Sequence, residues 1–90
     1  MLRITVDQEF DSIAVRLEGK LVGAWVEELR DVWSRLRSTS NRVVISLTGI
    51  SSVDILVRSL LLEIYFAGGV LTGSGLLARS LIEEVSRIPS

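Results

Sequence analysis

The chain contains no cysteine, so neither a disulfide framework nor a thiol redox motif can form, and the expected location is the reducing cytoplasm. It contains no histidine either. Without thiolates and imidazoles the usual zinc ligands, thiol nucleophiles and neutral-pH bases are missing, which leaves carboxylates, hydroxyls and amines for any chemistry. Charge of one sign is lacking too: nine arginines and one lysine are scattered among eleven acids, for a net charge of −1. No basic stripe tracks a phosphate backbone, and nucleic acid is not an expected partner. Although 48% of the residues are hydrophobic, no uninterrupted apolar run is long enough to span a bilayer. The one candidate, residues 55–71, carries Arg58, Ser59, Glu63 and a Gly68-Gly69 pair, and a membrane span is excluded. The first residues lack the charged region, apolar stretch and small-residue site of a secretory signal.

What is present is regular patterning over ninety residues, the length of one small domain, here expected to occupy residues 1–90. Leu2, Ile4 and Val6 alternate with Arg3 and Thr5, and Ile13, Val15 and Leu17 alternate with Ser12, Ala14, Arg16 and Glu18. Both runs read as strands with one wet face, joined by the short polar segment Asp7 to Asp11 into an antiparallel hairpin. From Ala24 the period becomes helical. Trp25, Leu29, Val32, Trp33 and Leu36 share one stripe, opposite Glu27, Glu28, Arg30, Asp31, Arg35 and Arg37, with Asp31 and Arg35 spaced for mutual support.

The stretch Val43 to Leu47 reads as a third strand, followed by a loop, Thr48 to Val53, and then a strongly apolar helix beginning at Asp54. A carboxylate there can accept a backbone N–H of the first turn and meets the positive end of the helix dipole, so Asp54 is the expected N-cap. Gly68 suits the helix C-terminus, Val70 to Thr72 a fourth strand, and Gly73-Ser74-Gly75 a tight turn into a third helix. That helix has Ala78, Leu81, Ile82, Val85 and Ile88 on its apolar side, a Glu83–Arg87 pair, and Pro89 at its end. The order is ββαβαβα. Strand–helix–strand units demand right-handed crossovers and parallel pairing, so the fold class is α/β: a four-stranded mixed sheet, first strand antiparallel and the rest parallel. The clean alternation of the first two strands places the helices mainly on one face. A common core of Leu17, Val32, Trp33, Ile45, Leu60, Ile64, Leu81 and Val85 follows.

The strand, the loop ending in Val53-Asp54 and the apolar helix closed by glycine together resemble the central signature of the STAS domain, a family that includes the bacterial anti-sigma-factor antagonists. Leu17-Glu18-Gly19-Lys20-Leu21 is similar to the family's apolar-x-Gly-x-Leu element, and Ala67-Gly68-Gly69-Val70-Leu71 to its helix-to-strand joint. The resemblance implies a non-enzymatic interaction module in signalling or regulation of transcription, whose partner is an anti-sigma-type kinase or an identical subunit. In the antagonists the residue after the loop aspartate is a phosphorylated Ser or Thr, with a Gly shortly after. Here those positions are Ile55 and Val57, so phosphorylation at the family position is chemically impossible. Ser51, Ser52 and Ser59 remain as hydroxyls nearby, the first two expected in the loop.

Other motifs carry less. Gly73-Ser74-Gly75-Leu76-Leu77-Ala78 matches G-x-G-x-x-A between strand and helix, the context in which backbone N–H groups cradle a pyrophosphate. The acidic residue and following strand of a dinucleotide fold are missing, which favours a simple tight turn. Asp7, Glu9 and Asp11 offer oxygen ligands but read as solvated turn chemistry, and Arg35, Arg37 and Arg42 answer the negative end of the first helix. No cofactor and no metal is expected. The second helix is different. With Leu56, Val57, Leu60, Leu61, Ile64, Tyr65 and Ala67 on the packed arc, the remaining arc still contains Ile55, Leu62 and Phe66 at i, i+7 and i+11, with Arg58, Ser59 and Glu63 among them. Burial within the fold and a partner interface are both open for that row. The candidate docking residues are Ser52, Asp54, Ile55, Arg58, Ser59, Leu62 and Phe66; a purely structural homodimerising domain and a small-ligand or nucleotide binder are the alternatives.

Overall fold

A computed structural model describes residues 1–38 and 42–87; Ile88 and Pro89 lie outside the described residues. The elements are β1 (Leu2–Gln8), β2 (Ser12–Leu21), α1 (Ala24–Leu36), β3 (Arg42–Val53), α2 (Leu56–Phe66), β4 (Val70–Thr72) and α3 (Leu76–Ser86). The sheet order is β1-β2-β3-β4. β1 is antiparallel to β2, and β2–β3 and β3–β4 are parallel. The mixed sheet expected from period and connection rules is therefore the one observed.

Alternation along the strands decides which face is covered. Ile13, Val15, Leu17, Val43, Ile45 and Leu47 are buried on one side, while Arg16, Glu18 and Thr48 between them are exposed. Val26, Leu29 and Trp33 of α1, Val57, Leu60, Leu61 and Ile64 of α2, and Ala78, Leu81 and Val85 of α3 complete that one core. Burial at this scale is the main stabilising term, at about 1.5 to 3 kcal/mol for each large apolar side chain. Seven of the eight expected core residues are buried; Val32 is only half-buried. The buried stripe of α1 is rotated toward Val26, which leaves Val32 at its margin and Trp25 and Leu36 partly covered. The Asp31–Arg35 pair is not formed among the described ion pairs, and Arg30 does the bridging instead, to Glu27 at 3.7 Å.

The third strand is longer than its sequence suggests. Residues 48–53, expected as a loop, continue β3 and pair with β2 as far as Leu21↔Val53. The register slips twice: Arg16↔Ser46 is followed by Glu18↔Gly49, and Gly19↔Ile50 by Lys20↔Ser52. Each slip accommodates one extra residue on β3, so the bulges fall at Leu47-Thr48 and at Ser51, where the Thr48-Gly49 and Ser51-Ser52 steps look like turn signals. Ser51 and Ser52 thus sit on a paired strand. At the other end of α2 the chain closes as expected: Gly68 has φ 97°, its N–H donates to the Tyr65 carbonyl at 3.2 Å, and the Gly69 N–H donates to the Ile64 carbonyl at 2.9 Å. These are the two bonds of a Schellman ending.

Candidate functional site

Strand β3 delivers its last residue directly to the N-terminus of α2, and Asp54 is the joint. Ile55 occupies the cap position of the hydrogen-bonded helix but already has helical dihedrals, φ −64° and ψ −25°, and its side chain caps nothing. Asp54, one residue earlier, does the capping: Leu56 N–H donates to its Oδ1 at 2.9 Å. The expected capping carboxylate is therefore present. Its second oxygen has a role the sequence does not reveal. Gly23 N–H donates to Asp54 Oδ2 at 2.6 Å across 31 positions of sequence, and Gly23 is the cap residue of α1. One carboxylate thus joins the N-termini of two helices, where two positive dipole ends favour negative charge.

From that joint α2 runs between its neighbours, held on each flank by an ion pair. Arg30 Nη1 of α1 lies 2.9 Å from both carboxylate oxygens of Glu63, and Arg58 pairs with Glu84 of α3. Arg58 and Glu63, expected on the outward arc, therefore have partners within the chain. They remain about half exposed, at 56% and 44% of the side chain, so the pairs contribute little individually to stability.

The apolar arc of α2 is narrower than its helical wheel suggests. Only Val57, Leu60, Leu61 and Ile64 are buried; Leu56, Tyr65 and Ala67, expected on the packed side, are exposed. The ion pairs occupy the flanks that apolar packing was expected to fill. The outward row divides. Ile55 is 87% exposed and Phe66 48%, whereas Leu62 is partly buried against the core. Phe66 leans on Tyr65 with ring centroids 5.7 Å apart. The structure consequently gathers Asp54, Ile55, Leu56 and exposed Ser59 at the N-terminal end of α2, and Tyr65 and Phe66 at its C-terminal end, with Leu62 filling the space between. Ser52 is half-buried opposite Lys20 on β2. Leu56 and Tyr65 are the exposed residues that sequence reasoning missed.

The remaining motifs are accounted for by local structure. Ser74 N–H donates to Thr48 Oγ1 at 3.0 Å, which ties the Gly73-Ser74-Gly75 turn to β3 and occupies the Ser74 amide. Two surface hollows, one along the outer side of α3 and one beside the start of β1, both leave that turn aside. Asp7 pairs with Arg16 at 3.5 Å, and Glu9 accepts from Ser12 Oγ at 3.5 Å. Arg37 lies over the Trp33 ring, 5.9 Å from its centroid. Among the described residues no helix is long and apolar enough to cross a membrane.

No protein-family profile and no curated protein matches the chain by sequence. Solved structures similar in three dimensions include the following three. One is Mglu, at a TM-score of 0.64 and 22% identity, covering 80% of this chain and 19% of that one; the chain thus spans about a fifth of Mglu. Another is an uncharacterized protein of the DUF3478 family with a SpoIIAA-like fold from Shewanella loihica, at 0.60 and 17%, covering 96% of this chain and 76% of that one. The third is the anti-sigma factor antagonist SpoIIAA in its unphosphorylated form, at 0.61 and 14%, covering 96% of this chain and all of that one. The fold is STAS-like, as the resemblance in the sequence implied.

Proposed function

We propose that the protein is a non-enzymatic interaction module of the anti-sigma-factor-antagonist kind, acting in the cytoplasm by docking α2 and the Asp54 joint onto a protein partner. The observation that carries this reading is the outward side of α2. Ile55, Leu56, Tyr65 and Phe66 present apolar surface on a helix whose first turn is pinned by Asp54 and whose flanks are clamped by ion pairs. A preformed apolar surface loses little conformational freedom on binding, which favours association. Ser52, Asp54, Arg58, Ser59 and Leu62 frame or support that surface, and Ile55 and Phe66 are its anchors.

By resemblance the partner is an anti-sigma-type kinase. Ile55 stands where the phosphorylated hydroxyl belongs, so on this reading the module stays in its binding-competent form instead of being switched off. The test is calorimetric titration of the chain against the anti-sigma-type kinase encoded nearest its gene. Binding that Ile55→Asp and Phe66→Ala each weaken by about 1 kcal/mol or more supports the reading; wild-type binding unaffected by both substitutions, or no binding, refutes it.

A further inference from the structure

The two edges of the sheet are unlike. β4 exposes only three residues, the short edge by which sheets avoid unwanted pairing, whereas β1 is a seven-residue strand with no slip in its register. Its backbone groups divide by parity. Lys20 N–H donates to the Met1 carbonyl at 2.9 Å and Glu9 N–H to the Ser12 carbonyl at 2.8 Å, so odd-numbered residues of β1 bond to β2. In an antiparallel ladder the alternate residues, Leu2, Ile4, Val6 and Gln8, turn their N–H and C=O groups to the open edge.

We propose that this edge pairs with β1 of a second copy, antiparallel about a two-fold axis through Thr5, to form one continuous sheet across a dimer. In that register Ile4 faces Val6 of the other copy, and Leu2 faces Gln8. These are the residues with outward backbone groups, so each pair exchanges two hydrogen bonds. Val6, 45% exposed, gains a β-branched neighbour on the helix-bearing face. On the opposite face Thr5 meets Thr5, and Arg3 meets Asp7 twice by symmetry. Sliding the strands by two residues sets Arg3 or Asp7 against Thr5, and one of those slides brings Arg3 opposite Glu9, which lies beyond the last residue of β1 and already accepts from Ser12 Oγ. Sliding by four faces Arg3 with its own copy, or Asp7 with its own, and like charges directly opposite are destabilising. Charge thus selects the occupant, a second copy of this strand, and also the register. The surface is separate from the docking face of α2.

The experiment is sedimentation equilibrium of the full chain over a dilution series at low salt, with circular dichroism to confirm folding of every variant. Wild type is expected to show a monomer–dimer equilibrium. Arg3→Asp and Asp7→Arg alone each weaken it by on the order of tenfold. The double variant, Arg3→Asp with Asp7→Arg, restores it, and so does mixing the two single variants, which are complementary to each other. Amide exchange gives a second readout free of substitutions: the Ile4 and Val6 amides of wild type should slow as concentration rises. A chain that stays monomeric throughout overturns the proposal. So does a dimer insensitive to the single reversals, or one abolished by Ile55→Asp instead.

Discussion

At the scale of single residues, Asp54 carries the most structural responsibility. A simple N-cap is worth about 0.5 to 2 kcal/mol, but this carboxylate also receives the Gly23 N–H at the start of α1. Asp54→Ala leaves both donors without their partner, and urea denaturation should show a loss of roughly 2 to 3 kcal/mol. Asp54→Asn keeps a capping oxygen for Leu56 but removes the charge, so it should retain more than half of that stability. If alanine costs no more than an ordinary cap, the bond to Gly23 contributes nothing. Gly19 offers an independent residue-scale test. Its φ is 109°, and a Cβ there would lie 2.2 Å from the Met1 carbonyl oxygen. Gly19→Ala combines backbone strain with displacement of β1, and should lower stability by at least about 2 kcal/mol in a thermal melt. This is also the physical reason a glycine suits the centre of Leu17-Glu18-Gly19-Lys20-Leu21. The cap was legible in the sequence because capping is local. The second acceptor role of Asp54 was not, because Gly23 comes near it only through the parallel pairing of β2 with β3.

At the scale of elements, the period-two and period-3.6 patterns were sufficient to place β1, β2, α1 and α3, since each pattern reports one wet and one dry side of a single element, and the flanking glycine turns placed β4. They fail where a neighbour decides. β3 extends through Thr48-Gly49 because β2 offers a partner that absorbs two bulges, and turn chemistry read locally has no knowledge of that partner. The wheel of α2 places Leu56 and Tyr65 inside because it counts apolar residues, while the structure spends those flanks on Arg30–Glu63 and Arg58–Glu84. The outward row of α2 supplies a prediction that separates the two outcomes. Ile55→Asp adds an acid at the N-terminus of a helix on an exposed position, and its stability should remain within about 0.5 kcal/mol of wild type. Leu62→Asp places a charge against the core and should cost about 2 kcal/mol or more. Denaturation of the two variants side by side checks this; equal, small effects would place Leu62 outside the core.

At the scale of the whole molecule, the question is whether it can be switched. A phosphorylation switch needs a hydroxyl that a kinase can reach without dismantling the fold, and the positions available here are poor. Ser51 and Ser52 lie on β3 between the bulged register with β2 and the Asp54 joint, so presenting either in extended form to a kinase requires peeling that strand end from the sheet and releasing the α2 cap. Ser59 is exposed but lies within α2, where the backbone is committed to the helix. Ile55, exposed at the α2 N-terminus directly after Asp54, has no hydroxyl. Phosphopeptide mass spectrometry of the protein from its native host should accordingly find no stoichiometric phosphate on Ser51, Ser52 or Ser59. The complementary variant restores the chemistry: Ile55→Ser puts an acceptor where a phosphate would meet the positive end of the α2 dipole, a placement that stabilises a phosphorylated helix start. On the proposed reading, phosphorylation of that variant by an anti-sigma-type kinase, with wild type inert beside it, is the expected result. Stoichiometric phosphate on Ser51, Ser52 or Ser59 of the wild type would mean that the end of β3 or the first turns of α2 open far more readily than their pairing and capping allow.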